Sequence, residues 1–187
     1  MAEYLKIVGG NKLSGEVQVA GSKNAALPLL ISALLSSKKQ SFSNVPKLDD
    51  IAVTLKLLRS LGSEVAWNQN TLEISTPEIL NTQASYSLVK SLRASFWVLG
   101  PLLARAGKAE VALPGGDAIG SRPVDLHIAA LEKLGAKIEL NHGVVTGHTP
   151  NGLHGAKIDL GFPSVGCLLY TSPSPRDATL SRMPSSA

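Results

Sequence analysis

The sequence predicts an α/β fold assembled from a duplicated helix–strand–helix–hairpin unit, and three observations carry that expectation. Segments with apolar residues at helical spacing alternate with short runs of period two. The order of these elements occurs twice: Leu58-Arg59-Ser60-Leu61-Gly62-Ser63-Glu64-Val65 aligns with Leu131-Glu132-Lys133-Leu134-Gly135-Ala136-Lys137-Ile138 at a shift of 73 residues. Both leucines and the glycine are identical there, and valine is matched by isoleucine. Finally, the 187 residues are 44% hydrophobic but only 4% aromatic, so the core is expected to be mostly Leu, Ile, Val and Ala.

In order, residues 4–8 and 14–20 read as two short strands joined by the turn Gly9-Gly10-Asn11-Lys12. Ser22 is a candidate N-cap for a helix over Ala25–Leu35, apolar almost all round and hence expected to be buried. Pro28 fits such a helix only within its first turn. Ser41–Val45 alternates as a strand, and Asp49-Asp50 opens a helix whose face is Ile51, Leu55, Leu58 and Leu61, stopped by Gly62. Val65, Trp67, Leu72 and Ile74 alternate about Asn68-Gln69-Asn70, a hairpin.

The second unit follows the same plan. Leu88, Leu92, Phe96, Leu99 and Leu103 predict one long amphipathic helix ending before Gly107, with Arg93 on the face of Val89 and Trp97. Glu110–Leu113 is a strand, Val124, Ile128, Leu131 and Leu134 mark a helix stopped by Gly135, and a hairpin turns at Asn141-His142-Gly143. Pro46 corresponds to Pro114, and Lys23 and Arg93 each open the helix of their unit. Such amphipathic units bury their helices only when stacked on like units. A third unit begins with a strand at Gly155–Leu160 and Phe162-Pro163-Ser164-Val165-Gly166. Residues 167–187 then change character, with five serines, three prolines and no apolar period, and read as a disordered tail.

A net charge of +4 is mildly basic, without dense Lys/Arg runs or interleaved aromatics, so a small anion fits better than nucleic acid. The single cysteine, Cys167, excludes a disulfide framework and a Cys-based zinc site, and favours the cytoplasm. Met1-Ala2-Glu3-Tyr4-Leu5-Lys6 does not read as a signal peptide, and the longest apolar run, near Ala25–Leu35, is expected to be too short to span a bilayer. His142, His148 and His154 are expected in turns, with no ligand spacing.

The chemically richest stretch is Leu113-Pro114-Gly115-Gly116-Asp117-Ala118-Ile119-Gly120-Ser121-Arg122-Pro123-Val124-Asp125-Leu126-His127, a glycine- and proline-rich loop running into a helix. Local chemistry gives its residues ordinary roles. Asp117 would serve a glycine turn, Asp125 a helix N-terminus, and His127 a helix face. Lys23 after Gly-Ser would be a solvated charge, Arg93 a cation snorkelling off an apolar helix, and Asp49-Asp50 a helix start and no more.

Five motifs in order change the weighting. At Lys23-Asn24-Ala25-Ala26-Leu27-Pro28, Leu92-Arg93-Ala94-Ser95, Leu113-Pro114-Gly115-Gly116, Ile119–His127 and Ser164-Val165-Gly166, the chain closely resembles the UDP-N-acetylglucosamine enolpyruvyl transferases, the family that opens bacterial peptidoglycan synthesis. The resemblance runs from about residue 4 to Gly166. The shikimate-pathway enolpyruvyl transferase is the alternative, but it wants a Lys-Ser-x-Ser-Asn-Arg run where this chain has Lys23-Asn24-Ala25-Ala26. A non-catalytic module that recognises sugar nucleotides is a third reading.

The resemblance implies an inside-out α/β barrel whose domains each contain three repeats. About two of three repeats of one domain are expected, at about 22–87 and 88–160, with the third only started. Residues 1–21 would be strands belonging to a second domain, and 167–187 a foreign tail resembling translated adapter sequence. It further implies transfer of the enolpyruvyl group of phosphoenolpyruvate to the 3′-hydroxyl of UDP-N-acetylglucosamine, with no metal and no cofactor, by a cytoplasmic protein that is a monomer when full length. Turnover by the chain without the second domain is not expected. Lys23 and Asn24 would meet phosphate and Arg93 would be a ligand-side cation. Arg122, Pro123, Val124, Asp125 and Leu126 would contact the nucleotide sugar, as would Phe162, Pro163, Ser164 and Val165. Asp117 stands where the commoner family member has a cysteine acting as general acid. A carboxyl can donate that proton if desolvation raises its pKa, and it is a poor target for the epoxide fosfomycin.

Overall fold

The computed structural model describes residues 4, 6–10, 12, 14–90, 92–114 and 124–159. The first repeat opens with α1 (Lys23–Ser32), capped by Ser22, whose Oγ accepts from the Ala25 N–H at 3.4 Å. A short 3-10 turn, Ala33–Leu35, extends it. Strand β1 (Gln40–Ser43) leads to α2 (Asp49–Ser60), which carries Asp49 and Asp50 in its first turn and Arg59 in its last, complementing the helix dipole at both ends. Strands β2 (Glu64–Asn68) and β3 (Thr71–Ser75) form the expected hairpin, with Gln69 at φ 54° in the turn.

The second repeat contains β4 (Gln83–Ala84), α3 (Tyr86–Val89), a 3-10 segment Arg93–Val98, and α4 (Leu99–Ala106). Next come β5 (Lys108–Ala112), α5 (Asp125–Lys133), β6 (Lys137–Asn141) and β7 (Val144–His148). Gly107, at φ 69°, ends α4 in the left-handed conformation that a residue with a Cβ avoids.

Each repeat supplies one sheet, in the orders β1-β3-β2 and β4-β5-β7-β6. The hairpin strand β3 pairs antiparallel with β1 and β2, and β7 does the same with β5 and β6. The duplication therefore holds in register as well as in sequence. It fails at one edge: β4 runs parallel to β5, whereas β1 has no such neighbour among the described residues. Leu30, Ile31 and Leu34 share one core with Leu57, Leu58, Leu72, Ile74, Phe96, Leu99, Leu102, Leu103, Leu131 and Val145. Among the described residues Phe96 is the one fully buried aromatic, as the composition led one to expect.

Several expectations are corrected. No strand forms among the described residues of 4–8 and 14–20; Tyr4, Ile7, Val8, Val17 and Val19 are all at least 74% exposed. Alternation alone cannot hold a strand that has neither an edge to pair with nor a surface to bury its apolar face. Residues 155–159 likewise form no strand. The long helix over Leu88–Leu103 is broken after Val89: Leu92 is extended (φ −146°, ψ 113°) and the chain resumes as 3-10 helix at Arg93. Val89 and Arg93 thus do not share a helix face. Burial of α1 is one-sided, since Leu29 is 54% exposed. Pro28 lies in its second turn, so the Asn24 carbonyl loses its helical donor, which is tolerable because Asn24 is exposed. His148 ends β7 rather than sitting in a turn.

Candidate functional site

Two clusters of the sequence-predicted residues are described. The first is at the head of α1. Lys23 and Asn24 are its first two residues, both exposed, and no acidic residue lies in that first turn. The charge balance comes from another helix: Lys23 Nζ lies 2.6 Å from Asp50 Oδ2 at the start of α2, which packs on α1. Asp50 is therefore more than the helix-start carboxylate the sequence suggested. A cleft of about 350 Å³ opens beside this end of α1, lined by Gly21, Ser22, Ala25 and Asn44 among others, but not by Lys23 or Asn24.

The second cluster joins the Arg93–Val98 segment to α5. Arg93 opens the 3-10 turn, as Lys23 opens α1, and is exposed. Val124 is buried immediately before α5, Asp125 and Leu126 start that helix, and His127 is buried at 3% exposure. The His127 ring meets Phe96 edge-on, with ring centroids 6.0 Å apart and planes at 68°. Burial, reinforced by the Arg93 charge and opposed by Asp125, lowers the His127 pKa from 6.5 to about 4. The imidazole is thus neutral near pH 7 and lies within electrostatic reach of both Arg93 and Asp125. Reading His127 as a helix residue holds, but sequence gave no sign of its burial.

Packing of α1 on the Arg93–Val98 segment connects the clusters. Asp117, Arg122, Pro123, Phe162, Pro163, Ser164 and Val165 lie outside the described residues. Among the described residues, no three His, Cys, Asp or Glu side chains are grouped to hold a metal, and no helix is long and apolar enough to cross a membrane.

The fold is that of the enolpyruvyl transferases. The chain superposes on the enolpyruvyl transferase NikO from Streptomyces tendae with a TM-score of 0.66 at 21% identity, covering 78% of this chain and 32% of that one. An EPSP synthase from Acinetobacter baumannii also gives 0.66, at 18% identity over 83% of this chain and 36% of its own. Residues 7–170 match the family model described as EPSP synthase (3-phosphoshikimate 1-carboxyvinyltransferase), and the chain belongs to that family.

Within it, about half of the aligned residues are shared with UDP-N-acetylglucosamine 1-carboxyvinyltransferases. The chain is 52% identical over 164 residues to the UDP-N-acetylglucosamine 1-carboxyvinyltransferase of Aliarcobacter butzleri, and 53% identical over 164 residues to that of Lawsonia intracellularis. Each match covers 88% of this chain and 39% of the relative, so the chain spans about two-fifths of the relatives' length.

Proposed function

We propose that the protein to which this chain belongs transfers the enolpyruvyl group of phosphoenolpyruvate to the 3′-hydroxyl of UDP-N-acetylglucosamine, as a cytoplasmic enzyme of peptidoglycan synthesis. The observation that carries this is identity of about one residue in two with named UDP-N-acetylglucosamine 1-carboxyvinyltransferases over 88% of the chain. Lys23 and Arg93 each head a helical segment, and those segments pack together, which is consistent with two cations facing one anionic substrate.

In this reading Lys23, Asn24 and Arg93 bind the phosphate and carboxylate of phosphoenolpyruvate. Asp117 delivers a proton to its vinyl carbon. The sugar hydroxyl loses its proton to a base and its oxygen bonds to the adjacent carbon; the tetrahedral adduct then expels inorganic phosphate as the new methyl carbon gives up a proton, which restores the vinyl group. Arg122, Pro123, Val124, Asp125 and Leu126, with Phe162, Pro163, Ser164 and Val165, hold the nucleotide sugar. Residues about 22–160 form two repeats of a three-repeat domain, and residues 1–21 pair with a second domain. That assignment accounts for the exposure of Ile7, Val8, Val17 and Val19.

The test is a chimaera in which residues 7–159 replace the matching segment of the Aliarcobacter butzleri relative. Phosphate release from phosphoenolpyruvate is expected with UDP-N-acetylglucosamine and is expected to persist under fosfomycin. Release with shikimate 3-phosphate alone would overturn the substrate assignment. Time-dependent inactivation by fosfomycin would overturn the role given to Asp117.

A further inference from the structure

The ion pair between Lys23 and Asp50 balances charge between two packed helices, yet neither helix needs it for its own terminus. A cation in the first turn of a helix opposes the helix dipole, and α1 offers no acidic residue of its own there. Serving the N-terminus of α2 does not require Asp50, because Asp49 already stands beside it in the same turn. Yet the Asp50 carboxylate approaches Lys23 Nζ to 2.6 Å, closer than the 3.1 Å of the surface pair Lys39–Glu73.

We propose that Asp50 is a positioning residue, holding the Lys23 ammonium at the head of α1 where it meets the phosphate of the substrate. This rests on the reading of Lys23 as a phosphate-binding cation. Asp50 is itself well anchored: its backbone carbonyl accepts from the Oγ1 of the fully buried Thr54 at 2.9 Å, and α2 packs on α1. Its charge is favoured at a helix N-terminus, so the carboxylate is a fixed point against which a flexible lysine stem can be held. One ammonium proton directed to Asp50 leaves two donors for a ligand. The Lys23 side chain, 44% exposed, remains accessible to it. A pair this exposed contributes little to folding stability, so its consequence falls on ligand binding.

The experiment measures acetylation of Lys23 by mass spectrometry in the 187-residue chain, with exposed Lys38 as internal reference and phosphoenolpyruvate as the probe. Phosphoenolpyruvate is expected to slow labelling of Lys23 by about fivefold, through charge-assisted contacts to the ammonium. Asp50→Asn should abolish most of that protection without moving the urea midpoint, and Asp50→Glu should restore part of it. Equal protection in Asp50→Asn would overturn the inference while leaving the role of Lys23 intact. Stronger protection would also overturn it, making Asp50 a competing charge. No protection of the unmutated chain would overturn the reading of Lys23, and this inference with it.

Discussion

Arg105 Nη1 donates to the carbonyl oxygen of Thr76 at 2.8 Å, tying the last turn of α4 to the residue that follows β3. The same nitrogen reaches the carbonyls of Leu34 (2.9 Å) and Ser36 (3.3 Å), and Nη2 that of Pro77 (3.1 Å). One guanidinium from the second repeat thus gathers carbonyls from two places where the first repeat leaves regular structure. Its planar fork suits this, and the four bonds satisfy carbonyls that no ladder or helix turn would otherwise occupy.

Replacing Arg105 by Met should therefore lower stability by about 2–4 kcal/mol, since hydrogen bonds from a charged donor contribute about 1.5–3 kcal/mol each but not additively. Arg105→Lys should recover only part, because an ammonium lacks the fork. Urea unfolding of the chain measures both. A loss below about 0.5 kcal/mol, the size of an ordinary surface substitution, would show the clamp to be incidental.

Gly62 and Gly135 are equivalent in the duplication and both have positive φ, 111° and 99°, yet their surroundings differ. A Cβ at Gly62 would lie 2.7 Å from the Glu78 carbonyl oxygen and 2.9 Å from the Leu80 nitrogen, both backbone atoms. At Gly135 it would meet the His154 ring, the end of an exposed side chain that can swing away. Both alanines pay the left-handed penalty of about 1–3 kcal/mol. Gly62→Ala should add a backbone displacement and lose the larger amount. Adding His154→Ala to Gly135→Ala should relieve the crowding but not the φ strain. Equal losses at the two glycines, measured by urea unfolding, would contradict this.

The duplication was legible because its marks are local: leucines at helical spacing, a stop glycine, and turn residues that take positive φ, here Gln69 and His142. What the sequence concealed depends on partners. The apolar positions Leu92, Phe96, Leu99 and Leu103 do not reveal the break at Leu92, because the step of three from Phe96 to Leu99 fits a 3-10 turn as well as an α-helix, and Leu99 and Leu103 lie within α4. Strand β4 is two residues long, too short to show alternation. In the candidate site, Lys23 and Arg93 were singled out by the motifs that carry the family resemblance, since locally each reads as an ordinary solvated or snorkelling cation. The pairing of Lys23 with Asp50 and the burial of His127 against Phe96 join residues from separate elements, and no periodicity reports such contacts.

A buried hydroxyl pair distinguishes the repeats. Ser63 Oγ and Thr76 Oγ1 are 2.7 Å apart in the first, while the equivalent positions in the second are Ala136 and Thr149, whose hydroxyl turns instead to the Leu103 carbonyl at 3.2 Å. Ser63→Ala should strand the Thr76 hydroxyl in the core and destabilise by about 1–3 kcal/mol, the penalty for an unmet buried polar group. Ser63→Ala combined with Thr76→Val removes both partners and should lie nearer the unmutated chain than Ser63→Ala alone. A double-mutant cycle in urea gives the coupling directly, and simple additivity would refute it.

His127 couples folding to pH. Its pKa falls from 6.5 to about 4, with burial the largest cause and the Arg93 charge the next. Between those values the unfolded chain binds a proton that the folded chain refuses, so stability declines as pH falls from about 6.5 and the decline from this residue ends near pH 4. The shift of a buried imidazole corresponds to at most about 3 kcal/mol over that range. His127→Gln removes the titration, so the slope of unfolding free energy against pH between 6.5 and 4 should shrink even if the variant starts less stable for want of the edge contact with Phe96. Arg93→Gln should shrink it less, because it lifts the smaller of the two depressing causes and leaves the burial in place. Urea melts at half-unit pH steps separate these cases. If His127→Gln kept the full slope, the acid sensitivity would belong to other groups and the buried imidazole would not couple folding to pH.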